Sequence, residues 1–213
     1  MKHWLGRELK GIASIIVKFG HKYVVSHSGT TFVKTLEVGT GLGEHLKYEH
    51  MSKEQEDNYI AVDIRQNVAD SFKQLWPNIQ MLVKDCQEPL GFSEESFDRI
   101  IAIHVLEHLP NLPAFLAQAH QLLNKNDGIF IVVIPCEGGA GYWLGRKLFS
   151  QKLFEQRYHL PYKPFIKSDH LNTPEEILRE LKRTFKVVHR RYYPLYLPSV
   201  HLNLCLGLAL RPR

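Results

Sequence analysis

The sequence has few means of covalent cross-linking. Its three cysteines, Cys86, Cys136 and Cys205, are odd in number, far apart and without C-x-x-C spacing, which argues against a disulfide framework and against a cysteine zinc site. A reducing, cytoplasmic setting is expected. Long apolar runs are also missing. The run from Ile12 to Val17 is short, lies between Lys10 and Lys18 and has no small-residue cleavage site, so it is expected neither to span a membrane nor to export the chain. Charge of one sign is scarce as well: Lys+Arg 27 against Asp+Glu 22 gives a formal +5, a mild preference for anionic partners and far from a nucleic-acid-packaging charge. What remains is ordinary globular composition, 44% hydrophobic and 23% charged over 213 residues, which excludes disorder, collagen and coiled coil and suffices for one sizeable core.

From about residue 32, short runs rich in β-branched residues alternate with helical stretches, the pattern of a parallel sheet covered by helices. Strands are expected at Thr35 to Val38, Tyr59 to Asp63, Ile79 to Asp85, Asp98 to Ile103 and Ile129 to Ile134. Pro113 to Leu123 places Phe115, Leu116, Ala119, Leu122 and Leu123 on one helical face. Ahead of this domain, residues 1–31 form a separate N-terminal segment. There Leu5, Leu9, Ile12, Ile16, Phe19 and Tyr23 recur at helical spacing, opposite Arg7, Lys10, Lys18 and Lys22. Two readings stand open for that helix: packing on the domain, or lying on anionic lipid at the inner face of a membrane.

The C-terminal third changes character. Thr173-Pro174-Glu175-Glu176 reads as an N-cap, a first-turn proline and two first-turn acids, opening a helix to about Phe185. Two strand-like runs follow with no helix between them. In the last, Leu202, Leu204, Leu206, Leu208 and Leu210 alternate with Asn203, Cys205, Gly207 and Ala209, so large side chains line one face and mostly small ones the other. A loop connection makes the pair antiparallel, since parallel neighbours need a long crossover.

The strongest local pattern is Glu37-Val38-Gly39-Thr40-Gly41-Leu42-Gly43-Glu44, where an apolar strand runs directly into three alternate glycines. Glycine there lets a ligand lie against the main chain. A dinucleotide loop would carry a third glycine at the position of Glu44, so a nicotinamide cofactor is disfavoured. Glu37 instead suits a ligand with a cationic ammonium. Asp63 ends the second strand, where a carboxylate can accept from ribose hydroxyls, and Asp85-Cys86 ends the third, where it can accept from an adenine amine. Three acids at three successive strand ends describe a cationic, phosphate-free adenosine ligand.

These residues make the sequence similar to the class I S-adenosylmethionine-dependent methyltransferases. The resemblance is close over about residues 32 to 136 and looser beyond. It implies a Rossmann-like doubly wound α/β sheet of seven strands, mostly parallel with an antiparallel C-terminal hairpin strand, in the order 3-2-1-4-5-7-6. It also implies S-adenosyl-L-methionine as cofactor, S-adenosyl-L-homocysteine as product, and cofactor contacts from Glu37, Gly39, Thr40, Gly41, Gly43, Asp63, Ile64, Asp85, Cys86 and His104. The segment His104-Val105-Leu106-Glu107-His108-Leu109-Pro110 resembles the family's stretch after the fourth strand. Histidine as a residue type titrates near neutrality, so His104 is the candidate base or acceptor-orienting group; packing on the cofactor alone is its other reading. His104, Glu107 and His108 also match a zinc-peptidase pattern, but a strand running into His104 and prolines at 110 and 113 leave little room for the helix such a site needs. No metal is expected.

The segment 137–172 is longer than a simple connection and is expected to be an acceptor lid within the 32–213 domain. Its aromatics, among them Tyr142, Trp143 and Tyr158, interleave with Arg146, Lys147, Arg157 and Lys163, a preference for planar or apolar faces with negative charge. A helical hairpin with core aromatics and solvated charges is the alternative. Amino methylation of nucleic acid is disfavoured because the segment after the fourth strand lacks a proline-proline-aromatic motif. Cytosine C5 methylation through Cys136 is disfavoured because no cysteine follows the fourth strand. The expected activity is methyl transfer to an oxygen or carbon of a small-molecule acceptor, with an anionic glycan or lipid-linked precursor as leading class. A non-catalytic S-adenosylmethionine-binding partner or sensor is the alternative. The oligomeric state is left open.

Overall fold

The computed structural model describes residues 12–137, 139 and 170–213. The expected lid therefore lies outside the described residues except at its two ends, as does the first part of the N-terminal helix. Helix α1 spans Ile12–His27, followed by β1 (Thr35–Val38), α2 (Lys53–Asp57), β2 (Tyr59–Asp63), α3 (Gln66–Leu75), β3 (Gln80–Val83), β4 (Arg99–Ile103), α4 (Leu112–Leu122) and β5 (Ile129–Pro135). After the lid segment come α5 (Pro174–Thr184), β6 (Phe185–Tyr193) and β7 (Cys205–Pro212). The seven strands form a sheet in the order β3-β2-β1-β4-β5-β7-β6, with β7 antiparallel to both neighbours and the other pairs parallel. This is the α/β topology that the resemblance implied.

Most boundaries fall within one residue of the sequence reading, and two differ by more. Strand β3 stops at Val83 because its partner β2 ends at Asp63, which sits opposite Val83. The last strand starts at Cys205, not at Leu202. The buried Asn203 side chain accepts from the Leu195 N–H at 2.9 Å and donates to the Leu197 and Ser199 carbonyls at 2.9 and 2.8 Å, which folds the preceding residues into a loop.

Strand alternation sorts the side chains onto two faces. On one, Leu36, Ile100, Phe130, Val132, Leu206 and Leu208 belong to a continuous apolar core that continues into Phe115 and Leu116 of α4 and Ile177 and Leu181 of α5. Helix α5 starts as expected, with a reciprocal capping box between Thr173 and Glu176. On the other face there are two smaller clusters. One packs Tyr23 and Val24 of α1 against Ile101, Ile131 and Val133, and the other packs Phe72 of α3 against Tyr59 and Ala61. Gly207 is small because α1 passes over it: a Cβ there would lie 2.6 Å from the Tyr23 ring. Tyr23 is buried while Lys18 and Lys22 are exposed, so this half of α1 packs on the domain with its basic side outward.

Between those two clusters lies a buried polar layer. Arg99 is fully buried, its Nη1 2.8 Å from both Glu49 Oε1 and Ser28 Oγ, its Nε donating to Thr35 Oγ1 at 3.1 Å and its guanidinium 3.6 Å from the centre of the Phe32 ring. Glu49 also lies 2.7 Å from His45 Nε2. Burial opposes ionisation of Glu49, but His45 and Arg99 together hold its carboxyl below the ordinary range. His21 of α1 stacks on His45 and Tyr48. Burial, with repulsion from His45, His104 and Lys47, pulls the His21 imidazole down to about 3.

Candidate active site

The parallel strands all end on one rim, and the loops leaving β1, β2, β3 and β4 meet there. The glycine run leaves β1 with backbone φ of +65° at Gly39 and +59° at Gly41, the left-handed region that residues with a Cβ avoid. A Cβ on Gly39 would lie 2.4 Å from Val105 Cγ2, so the glycine also lets this loop touch the segment after β4. The Gly41 N–H donates to Asp63 Oδ2 at 3.1 Å and the Thr40 N–H to the Val62 carbonyl at 3.2 Å, which ties the loop to the end of β2. Trp76 supports it from below, its indole N–H donating to the Leu42 carbonyl at 3.0 Å while the ring packs on Gly43.

The site acids have different surroundings. Glu37 is buried, and one of its oxygens accepts from the Thr40 hydroxyl at 2.6 Å and the Tyr59 hydroxyl at 2.9 Å. Burial raises its carboxyl above the ordinary range despite His45 and these two hydroxyls. The carboxyl thus tethers the glycine loop to β1 and β2. Asp63 accepts from the Arg65 N–H at 3.0 Å, from Arg65 Nε and Nη2 at 2.9 Å each, and from Gly41. Burial works against its ionisation, but the Arg65 hydrogen bonds and charge outweigh it and lower the carboxyl. A diol reaching Asp63 must share or displace that guanidinium, whose side chain is 58% exposed. Ile64 beside it is among the exposed large apolar side chains. Asp85 accepts from the Gln87 N–H and side-chain amide at 2.9 and 3.0 Å, and Gln87 Oε1 in turn accepts from the Asn111 N–H at 2.6 Å. Burial, with Asp85 nearby, pushes the Cys86 thiol up to about 12.

His104 directly follows β4, with φ +54° while its N–H donates to the Val133 carbonyl at 2.8 Å. Its imidazole is half-buried, Nδ1 3.5 Å from Glu107 Oε1. Residues Leu106–His108 form a single 3-10 turn, so the two histidines of the zinc-like pattern do not share a helical face. The Cys136 thiol is also buried and pushed up to about 12, the protonated form that makes a poor nucleophile.

The ends of the expected lid converge here. His170 Nδ1 lies 2.7 Å from Glu137 Oε2, and the His170 ring packs edge-on to His108 at 4.6 Å. The Leu171 and Asn172 N–H groups donate to the Glu107 carbonyl at 2.7 and 3.1 Å, and the Asn172 amide donates to the Leu106 and Leu109 carbonyls at 2.9 and 2.7 Å. The excursion therefore leaves and returns beside the turn that follows β4. Sequence reasoning missed Arg65, Trp76 and the Arg99 layer. Arg65 lies two residues from Asp63 and could have been suspected, whereas Trp76 and Glu49 reach their places only through the fold.

The site thus joins a glycine loop to the segment after β4, with carboxylates at or just beyond the ends of β2 and β3, in an α/β fold. The model of the methyltransferase domain family matches residues 26–190, most of the chain, and the chain belongs to that family. In sequence it is 35% identical over 101 residues to the zebrafish (Danio rerio) mitochondrial arginine-hydroxylase NDUFAF5, a match covering 47% of this chain and 30% of that one. The chain thus spans under a third of that relative's length. Among solved structures, PH0226 from Pyrococcus horikoshii superposes with a TM-score of 0.64 at 13% identity, covering 96% of this chain and 92% of that one. The N-methyltransferase NodS from Bradyrhizobium japonicum, solved with S-adenosylhomocysteine, gives 0.61 at 15% identity, covering 95% and 89%. At such identities these two show a shared fold. No helix among the described residues is long and apolar enough to cross a membrane.

Proposed function

We propose that the chain transfers the methyl group of S-adenosylmethionine to an oxygen or carbon atom of a small anionic acceptor, of glycan or lipid-precursor type, at the inner face of a membrane. The observation that carries the site assignment is the junction of Gly39 with Val105 and of Gly41 with Asp63, which joins three strand ends through backbone contacts. On this reading Gly39, Thr40, Gly41 and Gly43 bring their main chain against the methionyl part of the cofactor. Asp63 accepts from the ribose once Arg65 yields one of its hydrogen bonds, Ile64 covers a face of the adenine, and Asp85 with the Cys86 main chain meets its edge. Glu37 keeps the loop in shape and its charge favours the ammonium group.

The cofactor supplies a methyl group already activated by the positive sulfur, so the protein's task is alignment and exclusion of water. His104 stands at the strand end where donor and acceptor meet, with Glu107 3.5 Å from its Nδ1 to orient the ring and stabilise a proton gained from an acceptor hydroxyl. The 137–172 segment serves as acceptor lid, a role supported by its cationic and aromatic composition and by the meeting of its ends beside the turn at Glu107 and His108. The basic side of the N-terminal helix, Lys18 and Lys22 exposed, suits contact with anionic lipid.

The test is calorimetric titration with S-adenosylhomocysteine, with reduced nicotinamide dinucleotide as control, followed by incubation of labelled donor with fractionated cell extract. Micromolar binding of the first ligand alone, lost in Gly41→Val with the fold intact, is expected. Retained binding in that variant would remove the glycine loop from the site. Because one relative is named an arginine hydroxylase, products are weighed for a gain of one CH2 against a gain of one oxygen; the second result, or no product, would overturn methyl transfer.

A further inference from the structure

The edge of the sheet farthest from the glycine loop carries a surface that the methyl-transfer site does not use. Strand β6 is the last in the sheet, with one side of its backbone unpaired among the described residues. Along it runs an open groove of about 470 Å3 walled by His27, His189, Arg190, Arg191, Tyr196 and Pro198. Arg190 and Arg191 are exposed and make no ion pair among the described residues, while the Arg191 guanidinium lies 4.9 Å from the centre of the Tyr196 ring. The His27 and His189 rings stack at 4.1 Å, and His189 Nδ1 meets the Tyr23 hydroxyl at 3.1 Å, so the wall is anchored to α1.

The β6–β7 loop, whose Tyr196 and Pro198 wall this groove, presents Leu195, Tyr196, Leu197 and Leu202, each between 44% and 55% exposed. Water-facing leucines are common singly, but four large apolar side chains on one short loop are not. The loop is built rather than loose, because the buried Asn203 amide bonds Leu195, Leu197 and Ser199 together. Tyr196 is held at φ +59°, an unfavourable conformation for a residue with a Cβ. Since Cys205 pairs with Pro135, the loop stands on the same rim as His104 and the ends of the lid.

We propose that this loop and groove dock the enzyme on an anionic phospholipid surface. Leu195, Leu197 and Leu202 enter the acyl boundary, Tyr196 lies at the headgroup level, and Arg190 and Arg191 take lipid phosphates along the β6 edge. An apolar tip backed by cations matches such a surface in both chemistry and order of depth. A nucleic acid would want several stacking platforms, and here the one exposed aromatic ring in the loop already carries Arg191. Docking leaves the rim with the candidate active site facing the bilayer, whatever atom of the acceptor is methylated.

The test is flotation of the full chain with vesicles of phosphatidylcholine alone or with phosphatidylglycerol added, at low and high salt. Binding to the anionic vesicles only, weakened by salt, is expected. The double variant Leu195→Ser with Leu197→Ser should abolish flotation, and Arg190→Gln with Arg191→Gln should weaken it by about five-fold per arginine. S-adenosylhomocysteine titration of each variant reports the fold and the cofactor site separately. Flotation of neither vesicle type would overturn the proposal, as would flotation of both double variants like the parent, which would leave the N-terminal helix as the lipid contact. Retention on an RNA oligomer without vesicle binding would overturn it in favour of nucleic acid.

Discussion

Beneath α4 and α5 the sheet carries one uninterrupted apolar layer, in which Leu36, Ile100, Phe130 and Leu208 follow one another across the strands. Beneath α1 and α3 the same strands carry two apolar clusters separated by Arg99, Glu49, His45 and His21. Both faces are buried, so the difference is one of role. The apolar face gains stability from area removed from water and needs only shape. The polar face holds directions: Arg99 fixes the 28–35 connection and Glu49, while Glu37 on the same side fixes the glycine loop through Thr40 and Tyr59. The glycine loop and the Asp63 end of β2 are thus set by hydrogen bonds that apolar packing could not aim.

The largest expected effect breaks the polar face at its centre. Arg99→Met should cost about 3–5 kcal/mol in urea unfolding, because Glu49 is left buried with one of its two partners, Arg99 and His45, gone, and adding Glu49→Leu should recover most of that loss. Phe130→Ala on the other face should cost a similar 3–5 kcal/mol or so through a cavity. A neutral single Arg99→Met would show that the polar layer is not a coupled unit.

The next effect is a pH dependence that only the polar face has. The His21 imidazole lies near 3 in the folded chain against 6.5 ordinarily, so between those values the unfolded chain binds more protons. Its contribution is fully present above pH 6.5 and is lost as pH falls towards 3. His21→Phe keeps a ring against His45 and Tyr48 and should flatten that part of the stability profile. An unchanged slope would assign acid lability to other groups.

The smallest effect separates the site from both cores. Asp63→Ala should weaken S-adenosylhomocysteine binding by about 1.5–3 kcal/mol through loss of a charged hydrogen-bond partner, with little change in the unfolding midpoint. Affinity equal to the parent would place the ribose elsewhere.

Much of the fold was legible because it rests on local periodicity. The unbroken apolar run of Ile129 to Ile134, the large-and-small alternation of Leu206 to Leu210, the Thr173 cap and the glycines after Val38 each act within a few residues, and the sheet order followed from the resemblance they support. The segment from Leu202 was misread as strand because a leucine alternation cannot reveal that Asn203 will satisfy three backbone groups of a loop. Glu37 was legible as a site residue, but its bonds to Thr40 and Tyr59 were not, since Tyr59 reaches it across paired strands.

The sequence by itself determined the α/β class, the glycine loop and the acids at the strand ends, because strand pattern, turn chemistry and residue type are properties of short segments. Only the tertiary structure decided that Arg65 holds Asp63, that a buried ion pair divides one face of the sheet, and that apolar side chains stand beside two arginines at its edge. Those are meetings of groups distant in sequence or set by local side-chain geometry, and strand pairing together with the packing of α1 brings them about.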